Sequence, residues 1–376
     1  MHVGLNLLFL VPGETGGRET YTRELTRSLV LERPDLRLTA FIGREASAIK
    51  DSTWLRDLRT VTVPINTRSR AAWAFGEQAL LPRLAGRESV DILHSTANTA
   101  PAFGPFRRVV TIHDVLHLKY PELLGTVSRL GTRAIVGGAA RTAHRVITGC
   151  EASRDEIVSL LGVHPDRIDV VPHGFGTAPS DRPTPIAELR AKFELGNRAF
   201  ILASAIRVPH KNIPRLLDAL AMIRHDRRPM LTLTGPKGSH DDEIGERIRT
   251  HHLEGDVRLL GWVDQADLDG LFAGASCFVL PTLYEGFGLP ILEAMARGVP
   301  VACSDIGPLR EVSGNVALLF DPFDPRSIAD AIEELTEPGV DQTQRVDQGR
   351  ARAAEFTWQR SAQGTLASYE RALRSP

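Results

Sequence analysis

Residues 284–293 of this chain read Tyr-Glu-Gly-Phe-Gly-Leu-Pro-Ile-Leu-Glu, with two carboxylates, Glu285 and Glu293, on either side of a glycine-rich bend. Gly286 and Gly288 carry no side chain, so the backbone at this bend could approach a bound molecule closely. Carboxylates accept hydrogen bonds from hydroxyl groups, which are the groups that a sugar presents. The residue types therefore favour a site that holds a polyhydroxylated ligand.

An apolar helix is predicted to follow the bend. Pro290 suits the first helical turn because its missing N–H is not needed there, and Gly298 is a natural C-terminal cap after Arg297. The N–H groups and the positive end of the helix dipole near Leu289 would suit a phosphate. Together with the two carboxylates, this predicts a site for a phosphorylated sugar. An ordinary strand–loop–helix corner with solvated glutamates is the alternative interpretation.

The composition narrows the class of protein. A chain of 376 residues is too long for one ordinary domain and predicts two. Hydrophobic residues make up 42% and charged residues 24%, as in soluble globular proteins. The formal net charge of -1 argues against a dedicated nucleic-acid-binding protein, which would carry an excess of basic residues.

Cysteines and apolar runs indicate the compartment. Cys150, Cys277 and Cys303 lack the spacing of a metal or redox site, so we expect reduced, buried thiols and a cytoplasmic protein. No apolar run approaches the ~20 residues that span a bilayer. The apolar stretch 3–11 has neither a charged leader nor a cleavage site, and it is interpreted as a first buried strand.

Short apolar runs alternate with amphipathic stretches along the chain, which predicts an α/β fold with parallel sheets. The breaker-rich stretch 174–195 divides the chain, so we predict domains at 1–180 and 181–355 and a final helix within 356–376. Ligands of such sheets bind beyond the carboxyl ends of the strands. The predicted strands are 3–11, 38–42, 92–94, 109–112, 146–148, 168–171, 200–204, 230–234, 257–260, 277–280 and 299–303.

Three further loops at predicted strand ends carry residues suited to a phosphate or a sugar. Gly16 and Gly17 open a helix and could admit a phosphate, or could form a flexible turn. Arg207 and Lys211 lie between a strand and a helix, where they could clamp a diphosphate or simply be solvated. His113 follows an apolar strand, and a lone histidine at such a place is often a structural hydrogen-bond partner.

These motifs resemble those of the retaining glycosyltransferases of family 4, whose E-x7-E signature matches Glu285 to Glu293. The resemblance runs from the first glycine-rich loop to the Phe-Thr-Trp segment near the C-terminus. It implies the GT-B fold, in which two Rossmann-like domains face each other across a cleft and a C-terminal helix crosses back to the first domain. The hydrophobic pattern alone equally allows a terminal helix of the second domain.

The resemblance also implies a reaction, the transfer of a sugar from a nucleotide-diphosphate sugar to a hydroxyl acceptor with retention at the anomeric carbon. Arg207 and Lys211 would neutralise the departing diphosphate together with the helix N-terminus at Leu289. Gly16 and Gly17 would lie near the diphosphate and the acceptor. No Asp-x-Asp is positioned as a metal site, so neither a metal nor another cofactor is expected.

The same resemblance assigns residues to the rest of the donor. Glu285 would bind the sugar hydroxyls and Glu293 the ribose, while His113 would hold the sugar from the first domain. Val263 belongs to a segment whose backbone would meet the nucleotide base. The backbone that would close around the sugar comes from Gly286, Phe287 and Gly288.

Several identities stay open at this point. The donor would be GDP-mannose or a UDP-sugar, the acceptor a glycan, a glycolipid or a metabolite, and the oligomeric state is undetermined. A sugar-nucleotide epimerase on the same fold and a catalytically silent scaffold that binds a sugar nucleotide are the alternatives. An NAD-dependent dehydrogenase is disfavoured because the first loop lacks G-x-G-x-x-G. The basic, aromatic stretch 68–75 would suit a weak peripheral membrane contact, but its pattern favours an ordinary packed helix.

Overall fold

The computed structural model describes residues 1–13, 16–121, 126–175 and 182–375. The chain divides into two compact units. The first unit comprises Met1–Gly174 with Phe356–Pro376, and the second comprises Phe175–Glu355. The predicted boundary between residues 180 and 181 lies outside the described residues.

The first unit is built on one parallel sheet, and its described strands follow the order β3-β2-β1-β4-β5-β6-β7. The chain therefore runs outward from β1 in one direction and later from β4 in the other. The strands are β1 (His2–Leu7), β2 (Arg37–Ile42), β3 (Arg59–Thr62), β4 (Ile92–Ser95), β5 (Arg107–Thr111), β6 (Arg145–Thr148) and β7 (Ile168–Val170).

Helices cover both faces of this sheet because successive apolar residues of its strands point to opposite sides. Val109 packs into the core that contains Leu25 and Leu29 of the first helix, whereas Val110 packs with Val136 on the other face. The helices are α1 (Gly17–Glu32), α2 (Arg44–Ile49), α3 (Arg70–Phe75), α4 (Leu81–Arg87), α5 (Leu116–Lys119), α6 (Thr126–Thr142) and α7 (Glu151–Leu161).

The second unit repeats the arrangement with a parallel sheet whose described strands follow the order β10-β9-β8-β11-β12-β13. Each strand is flanked by helices that bury its apolar side chains, as in the core formed around Ile201, Leu231 and Val279. The strands are β8 (Phe200–Ser204), β9 (Met230–Thr234), β10 (Val257–Gly261), β11 (Cys277–Leu280), β12 (Val301–Ser304) and β13 (Leu318–Phe320).

The helices of the second unit alternate with its strands, and the last helix of the chain belongs to the first unit. That last helix packs on α1, with Tyr369 and Ala372 buried in the same core as Leu25. The helices are α8 (Ile186–Lys192), α9 (Ile213–Met222), α10 (Asp241–Thr250), α11 (Gln265–Gly274), α12 (Leu289–Ala296), α13 (Gly307–Ser313), α14 (Pro325–Thr336), α15 (Thr343–Ala354) and α16 (Trp358–Arg374).

The sequence pattern predicted the edge strands β7 and β10 but missed the other edge strand of each sheet. The strands β3 and β13 were not predicted, because β3 has a single strongly apolar residue, Val61, and β13 is only three residues long. The predicted strand 3–11 ends early at Leu7, since the amide of Leu10 turns back to bond the Leu7 carbonyl. These elements depend on pairing with a neighbour rather than on a local apolar run.

The stretch 68–75 forms the short helix α3, as its pattern favours, but none of its side chains is fully buried. Trp73 packs partly against the core around Phe41, while Phe75 is 60% exposed. The three cysteines are buried and free, as expected. No helix in the described ranges is both long and apolar enough to cross a bilayer.

Candidate active site

The second unit has its topological switch point between β8 and β11. From β8 the chain proceeds to β9 and β10 on one side, and from β11 it proceeds to β12 and β13 on the other. Connections that leave neighbouring strands in opposite directions open a crevice at the carboxyl ends, where ligands of α/β sheets bind. The loop after β8 carries Arg207 and Lys211, and the loop after β11 carries Glu285.

Lys211 and Glu285 are brought into direct contact at this point. The Lys211 Nζ donates to Glu285 Oε1 at 2.5 Å, and their side chains are 18% and 14% exposed. An ammonium and a carboxylate this close neutralise each other. Both charges are therefore held at the crevice by the protein.

Backbone and side-chain hydrogen bonds lock the two loops together. The carbonyl of His210 accepts from the amide of Leu283 at 2.7 Å and from the Thr282 hydroxyl at 2.9 Å. Asn212 adopts a left-handed conformation with a φ of 58°, and its buried amide donates to the carbonyls of Pro281 and Pro322, each at 2.9 Å. Asn212 thus joins the ends of β8, β11 and β13.

Neither Asn212 nor Thr282 was predicted from the sequence to belong to the site. An asparagine directly before a helix was a usable signal, because asparagine tolerates the left-handed region better than most residues. The partners of its amide could not be found this way, since Pro281 and Pro322 are far along the chain. The side chain ties the residue after Lys211 to the segments that follow β11 and β13.

The helix after β11 begins as the sequence predicts. Gly288 precedes α12 with a φ of 103°, and a Cβ atom there would lie 2.4 Å from Leu309 Cδ2, so only glycine fits. Leu289 is the first helical residue, Pro290 lies in the first turn, and Gly298 follows the helix with a φ of 73°. Gly286 and Phe287 lie in the loop before this helix, with Phe287 buried.

Glu293 lies one turn into α12 and is half-buried. Burial raises the pKa of its carboxyl, which the nearby Arg297 opposes and Asp269 reinforces. Arg297 itself is bonded to Asp269, with Nε to Oδ1 at 2.7 Å, so it is not a dedicated partner of Glu293. The Glu293 carboxylate therefore keeps its capacity to accept hydrogen bonds.

Arg207 is paired with Asp241, a partner that was not predicted from the sequence. Its side chain is only 3% exposed, and its Nε and Nη2 donate to the two carboxylate oxygens of Asp241 at 2.8 and 3.1 Å. The Gly238 amide also donates to Asp241 at 3.0 Å, and with Arg207 it holds the pKa of that carboxyl below its usual range. The Nη1 of Arg207 has no hydrogen-bond partner in the described chain. Its contact with a diphosphate stays a prediction.

Val263 follows β10, the edge strand of this sheet, and is half-buried. Its neighbour Trp262 is 83% exposed. The carbonyl of Gly261 accepts from the amide of Gly235 at 2.8 Å, so the loop after β10 is tied to the loop after β9. One loop thus lies between Val263 and the Lys211 loop, and the base contact stays a prediction.

In the first unit, the glycine pair stands at the start of α1. Gly16 has a φ of 63° and precedes the helix, and Gly17 is its first residue. Among the described residues, a Cβ atom built on either glycine would meet no atom within 4 Å other than those of its chain neighbours. A role of these glycines beside a phosphate stays a prediction.

His113 follows β5, and both of its ring nitrogens are engaged. Its Nε2 donates to the carbonyl of Thr96 at 2.8 Å, which leaves Nδ1 as an acceptor for His173 Nε2 at 3.3 Å. Tyr21 packs edge-on against the ring, with centroids 4.7 Å apart. Burial lowers the pKa of His113, so the ring is neutral near pH 7. Its predicted contact with a sugar is untested by this geometry.

A buried carboxyl at the switch point of the first sheet was also missed. Glu77 is 1% exposed, and its Oε1 accepts from Asn6 Nδ2 and from the Thr99 hydroxyl, each at 2.8 Å. Burial raises its pKa to about 7. Asn6 lies in β1 and Thr99 follows β4, which are neighbouring strands. No local pattern separated this glutamate from an exposed one.

Among the described residues, no group of three or more His, Cys, Asp or Glu side chains is arranged to hold a metal ion. The cations at the candidate site are Lys211 and Arg207, each facing a carboxylate. An anion could bind such a site by replacing a carboxylate as the partner of a cation and by accepting from the N–H groups at the N-terminus of α12.

Two family models match the chain, one over each unit. The model "Glycosyltransferase Family 4" matches residues 15–178, and the model "Glycosyl transferases group 1" matches residues 185–352. The second match contains Lys211, Glu285 and Glu293.

Relatives with curated functions carry glycosyltransferase names. The chain is 32% identical over 267 residues to the O-antigen chain mannosyltransferase B of Escherichia coli, covering 70% of each chain. It is 33% identical to the MMP alpha-(1->4)-mannosyltransferase of Mycolicibacterium hassiacum and 34% identical to the D-inositol 3-phosphate glycosyltransferase of Paenarthrobacter aurescens. The Mycolicibacterium match spans 62% of this chain and 56% of the relative's length. The Paenarthrobacter match spans 65% of this chain and 60% of the relative's length.

Solved structures share the fold. Sucrose-phosphate synthase from Thermosynechococcus elongatus aligns over 98% of both chains with a TM-score of 0.78 at 20% identity. The Anabaena protein Alr3699/HepE, solved with UDP and glucose, aligns over 98% of this chain and all of that one, with a TM-score of 0.74 at 21% identity. Taken with the two family models and the Escherichia coli relative, this establishes that the chain belongs to glycosyltransferase family 4 and is a group 1 glycosyltransferase of the GT-B fold.

Proposed function

We propose that this enzyme transfers a hexose from a nucleoside-diphosphate sugar to a hydroxyl acceptor, with retention at the anomeric carbon and without a metal ion. The observation that carries the proposal is the contact of Lys211 with Glu285, which are 74 positions apart in the chain. The fold brings a cation suited to a phosphate and a carboxylate suited to sugar hydroxyls to one crevice. A donor that contains both groups fits this pair.

The difficult step is the departure of the nucleoside diphosphate, which gains negative charge as the bond to the sugar breaks. Lys211 and the N-terminus of α12 would stabilise that charge, which is the role that a metal has in other transferases. Arg207 would assist through Nη1 while Asp241 keeps the rest of its guanidinium in place. The developing charge would draw Lys211 away from Glu285 and towards the phosphate.

The carboxylates would bind rather than donate protons. Glu285, released from Lys211, would accept from the sugar hydroxyls, with Gly286 and Gly288 allowing close approach of the backbone. Glu293 would accept from the ribose hydroxyls, and its half-buried position would strengthen such hydrogen bonds.

We propose GDP-mannose as the first donor to test and a UDP-sugar as the second. Two of the relatives are named as mannosyltransferases, which supports the first choice. The UDP and UDP-glucose complexes of the Anabaena protein support the second as an alternative. The acceptor would be a hydroxyl of a glycan, a glycolipid or a metabolite.

Calorimetric titration with UDP, GDP, dTDP and ADP tests the proposal first, followed by the sugar nucleotides of the base that binds. We expect one base to bind more tightly than the others, with unchanged affinity in EDTA. NMR of the product formed with an acceptor hydroxyl should give the same anomeric configuration as the donor. Binding of no nucleotide would overturn the proposal, and inversion at the anomeric carbon would overturn retention.

A control incubation without acceptor separates the alternatives. Conversion of the sugar nucleotide into a different sugar nucleotide would indicate an epimerase. Nucleotide binding with no turnover for any acceptor class would instead indicate a silent scaffold. The proposed transferase gives, at most, slow hydrolysis of the donor under these conditions.

A further inference from the structure

His113 is held in place by three hydrogen bonds within the first unit. Its backbone amide donates to Asn98 Oδ1 at 2.8 Å, and its ring Nε2 donates to the carbonyl of Thr96, also at 2.8 Å. The third bond joins its Nδ1 to Nε2 of His173, 3.3 Å away. His113 follows β5 and His173 follows β7, so the pair lies at the carboxyl ends of two strands of one sheet, where ligands of such sheets bind.

The Thr96 carbonyl determines which ring is the donor in this pair. A carbonyl oxygen only accepts, so the neutral His113 ring carries its proton on Nε2 and its lone pair on Nδ1. His173 must therefore donate from Nε2. Burial lowers the pKa of His173 well below its ordinary value, and a charge on His113 would lower it further, so both rings are neutral near pH 7. The pair is an N–H···N hydrogen bond with a defined direction.

The segment that carries His173 is fixed by α16. The hydroxyl of Ser361 donates to the carbonyl of Pro172. Trp358 lies so close to the residue after His173 that only glycine fits there, since a Cβ atom would be 2.4 Å from the Trp358 backbone nitrogen. His173 itself is only 3% exposed. It is therefore a fixed donor, toward which the His113 ring is oriented.

Tyr21 of α1 completes the arrangement by packing on both rings. Its ring centroid lies 4.7 Å from that of His113 and 4.6 Å from that of His173. An apolar side chain at position 173 would also pack on Tyr21, and it would avoid the cost of burying a second imidazole. The specific contribution of His173 is therefore its hydrogen bond to Nδ1 of His113.

We propose that His173 is a positioning residue for sugar transfer, which fixes the orientation and the tautomer of the His113 ring. A ring rotated by half a turn about its Cβ–Cγ bond would present carbon atoms to Thr96 and His173, so the two bonds together select one orientation. A ring that is already oriented costs less to bring into a productive contact. The proposal rests on the proposed function and on the predicted contact of His113 with the donor sugar.

Nitrogen NMR of the ligand-free enzyme tests the pair directly. In the wild type, we expect the His113 ring proton on Nε2. In His173→Phe, which keeps an aromatic ring but has no donor, the pKa of His113 should rise, because its neutral form loses a hydrogen bond. Asp114 and Arg18, the charged groups that act on His113, are unchanged in this variant. A His113 proton on Nδ1, or the same His113 pKa in both proteins, would overturn the proposal.

Kinetics of sugar transfer test the consequence for the reaction. His173→Phe should lower kcat/KM by about tenfold, the scale of one hydrogen bond, and should move the acid limb of its pH profile to higher pH. His173→Gln should restore most of kcat/KM, because its amide nitrogen can donate to Nδ1. His225→Phe, at an exposed position of the second unit, is the control and should change neither quantity. The same kcat/KM in His173→Phe and His225→Phe, or a loss that His173→Gln does not reduce, would overturn the positioning role.

The activity of the wild type separates this proposal from the proposed function. A wild type that transfers no sugar would overturn the proposed function and the positioning role with it. An active wild type with unchanged kinetics in His173→Phe would overturn the positioning role alone. If His173→Phe does not fold, His173→Asn takes its place, because the asparagine amide is one bond shorter than that of glutamine and falls short of Nδ1.

Discussion

Lys211 Nζ lies 2.5 Å from Glu285 Oε1, in a contact between the loops that follow β8 and β11. The two loops leave neighbouring strands and are joined by the bonds of His210 to Leu283 and Thr282. The pair is therefore held by the backbone and does not depend on a chance meeting of two long side chains. Under the proposed function, a donor phosphate that engaged Lys211 would release the Glu285 carboxylate at the same point, and phosphate binding would be coupled to sugar binding.

Replacement of Lys211 by alanine should lower kcat by roughly 100-fold or more, because it removes one preorganised contact with the leaving diphosphate. Steady-state kinetics with the donor found by calorimetry measure the change. Lys192→Ala is the matched control, since Lys192 also pairs with a carboxylate at 2.5 Å, that of Asp267, but lies on α8. Near-normal kcat and KM in Lys211→Ala would contradict the assigned role.

Replacement of Glu293 by glutamine should weaken nucleotide binding by about tenfold, because a charged acceptor for the ribose hydroxyls becomes a neutral one. In the wild type, the raised pKa of Glu293 means that affinity should fall as the pH decreases through that pKa, where the carboxyl gains a proton. Calorimetry over a pH series measures both effects. Glu334→Gln, on the exposed side of α14, is the control. Equal nucleotide affinities in the two variants would contradict the proposed contact of Glu293 with the ribose.

Replacement of Asn212 by alanine should reduce both stability and turnover. The variant loses two hydrogen bonds to buried carbonyls, each worth about 1 kcal/mol, and replaces asparagine by alanine, which tolerates the left-handed conformation less well, at a further cost of up to about 1 kcal/mol. Asn212→Gly loses the same hydrogen bonds, but glycine adopts the left-handed conformation without strain. Its stability should therefore lie between those of the wild type and Asn212→Ala. Urea unfolding and kcat should rank the variants in this order, and equal stability of all three would contradict the joining role of the amide.

Replacement of Asp241 by asparagine should destabilise the second unit by about 3 kcal/mol, because the buried guanidinium of Arg207 loses its charge partner. Asp242→Asn removes the same charge from the same first turn of α10, but at an exposed position, and should change stability by less than about 0.5 kcal/mol. If Arg207 also meets the diphosphate, Asp241→Asn should weaken nucleoside diphosphate binding more than nucleoside binding. Equal weakening of both would make Arg207 a structural residue only.

Glu77 should make the first unit less stable as the pH rises. Its pKa is about 7 in the folded chain against an ordinary value of 4.5, so the folded state holds a proton that the unfolded state has lost. The stabilising contribution is complete below pH 4.5 and is lost by about pH 7, a change of roughly 3 kcal/mol. Glu77→Gln should abolish this dependence while keeping an oxygen for Asn6 and Thr99. Thermal unfolding at several pH values measures this dependence, with Glu370→Gln as an exposed control on α16. The same dependence of stability on pH in Glu77→Gln and Glu370→Gln would contradict the raised pKa of Glu77.

The features predicted correctly from the sequence are those that depend on residues close together in the chain. Apolar runs marked the central strands of both sheets, because strands covered on both faces need apolar side chains throughout. Pro290 and Gly298 marked the start and end of α12 through backbone geometry alone. The E-x7-E resemblance indicated family 4, and the family models and a relative confirm that membership.

The features that local signals missed depend on residues far apart in the chain. The edge strands β3 and β13 exist because a neighbouring strand pairs with them, and the pattern of α16 allowed packing on either unit. Arg207 reads as a free cation in the sequence, yet the fold places it against Asp241, 34 positions away. The sequence by itself determined where the central strands and α12 begin, because those depend on short-range backbone and packing rules, and its assignment of donor-binding residues stays a prediction. Only the tertiary structure decided which charges meet, since each buried ion or hydrogen bond requires a partner that the chain delivers through its topology.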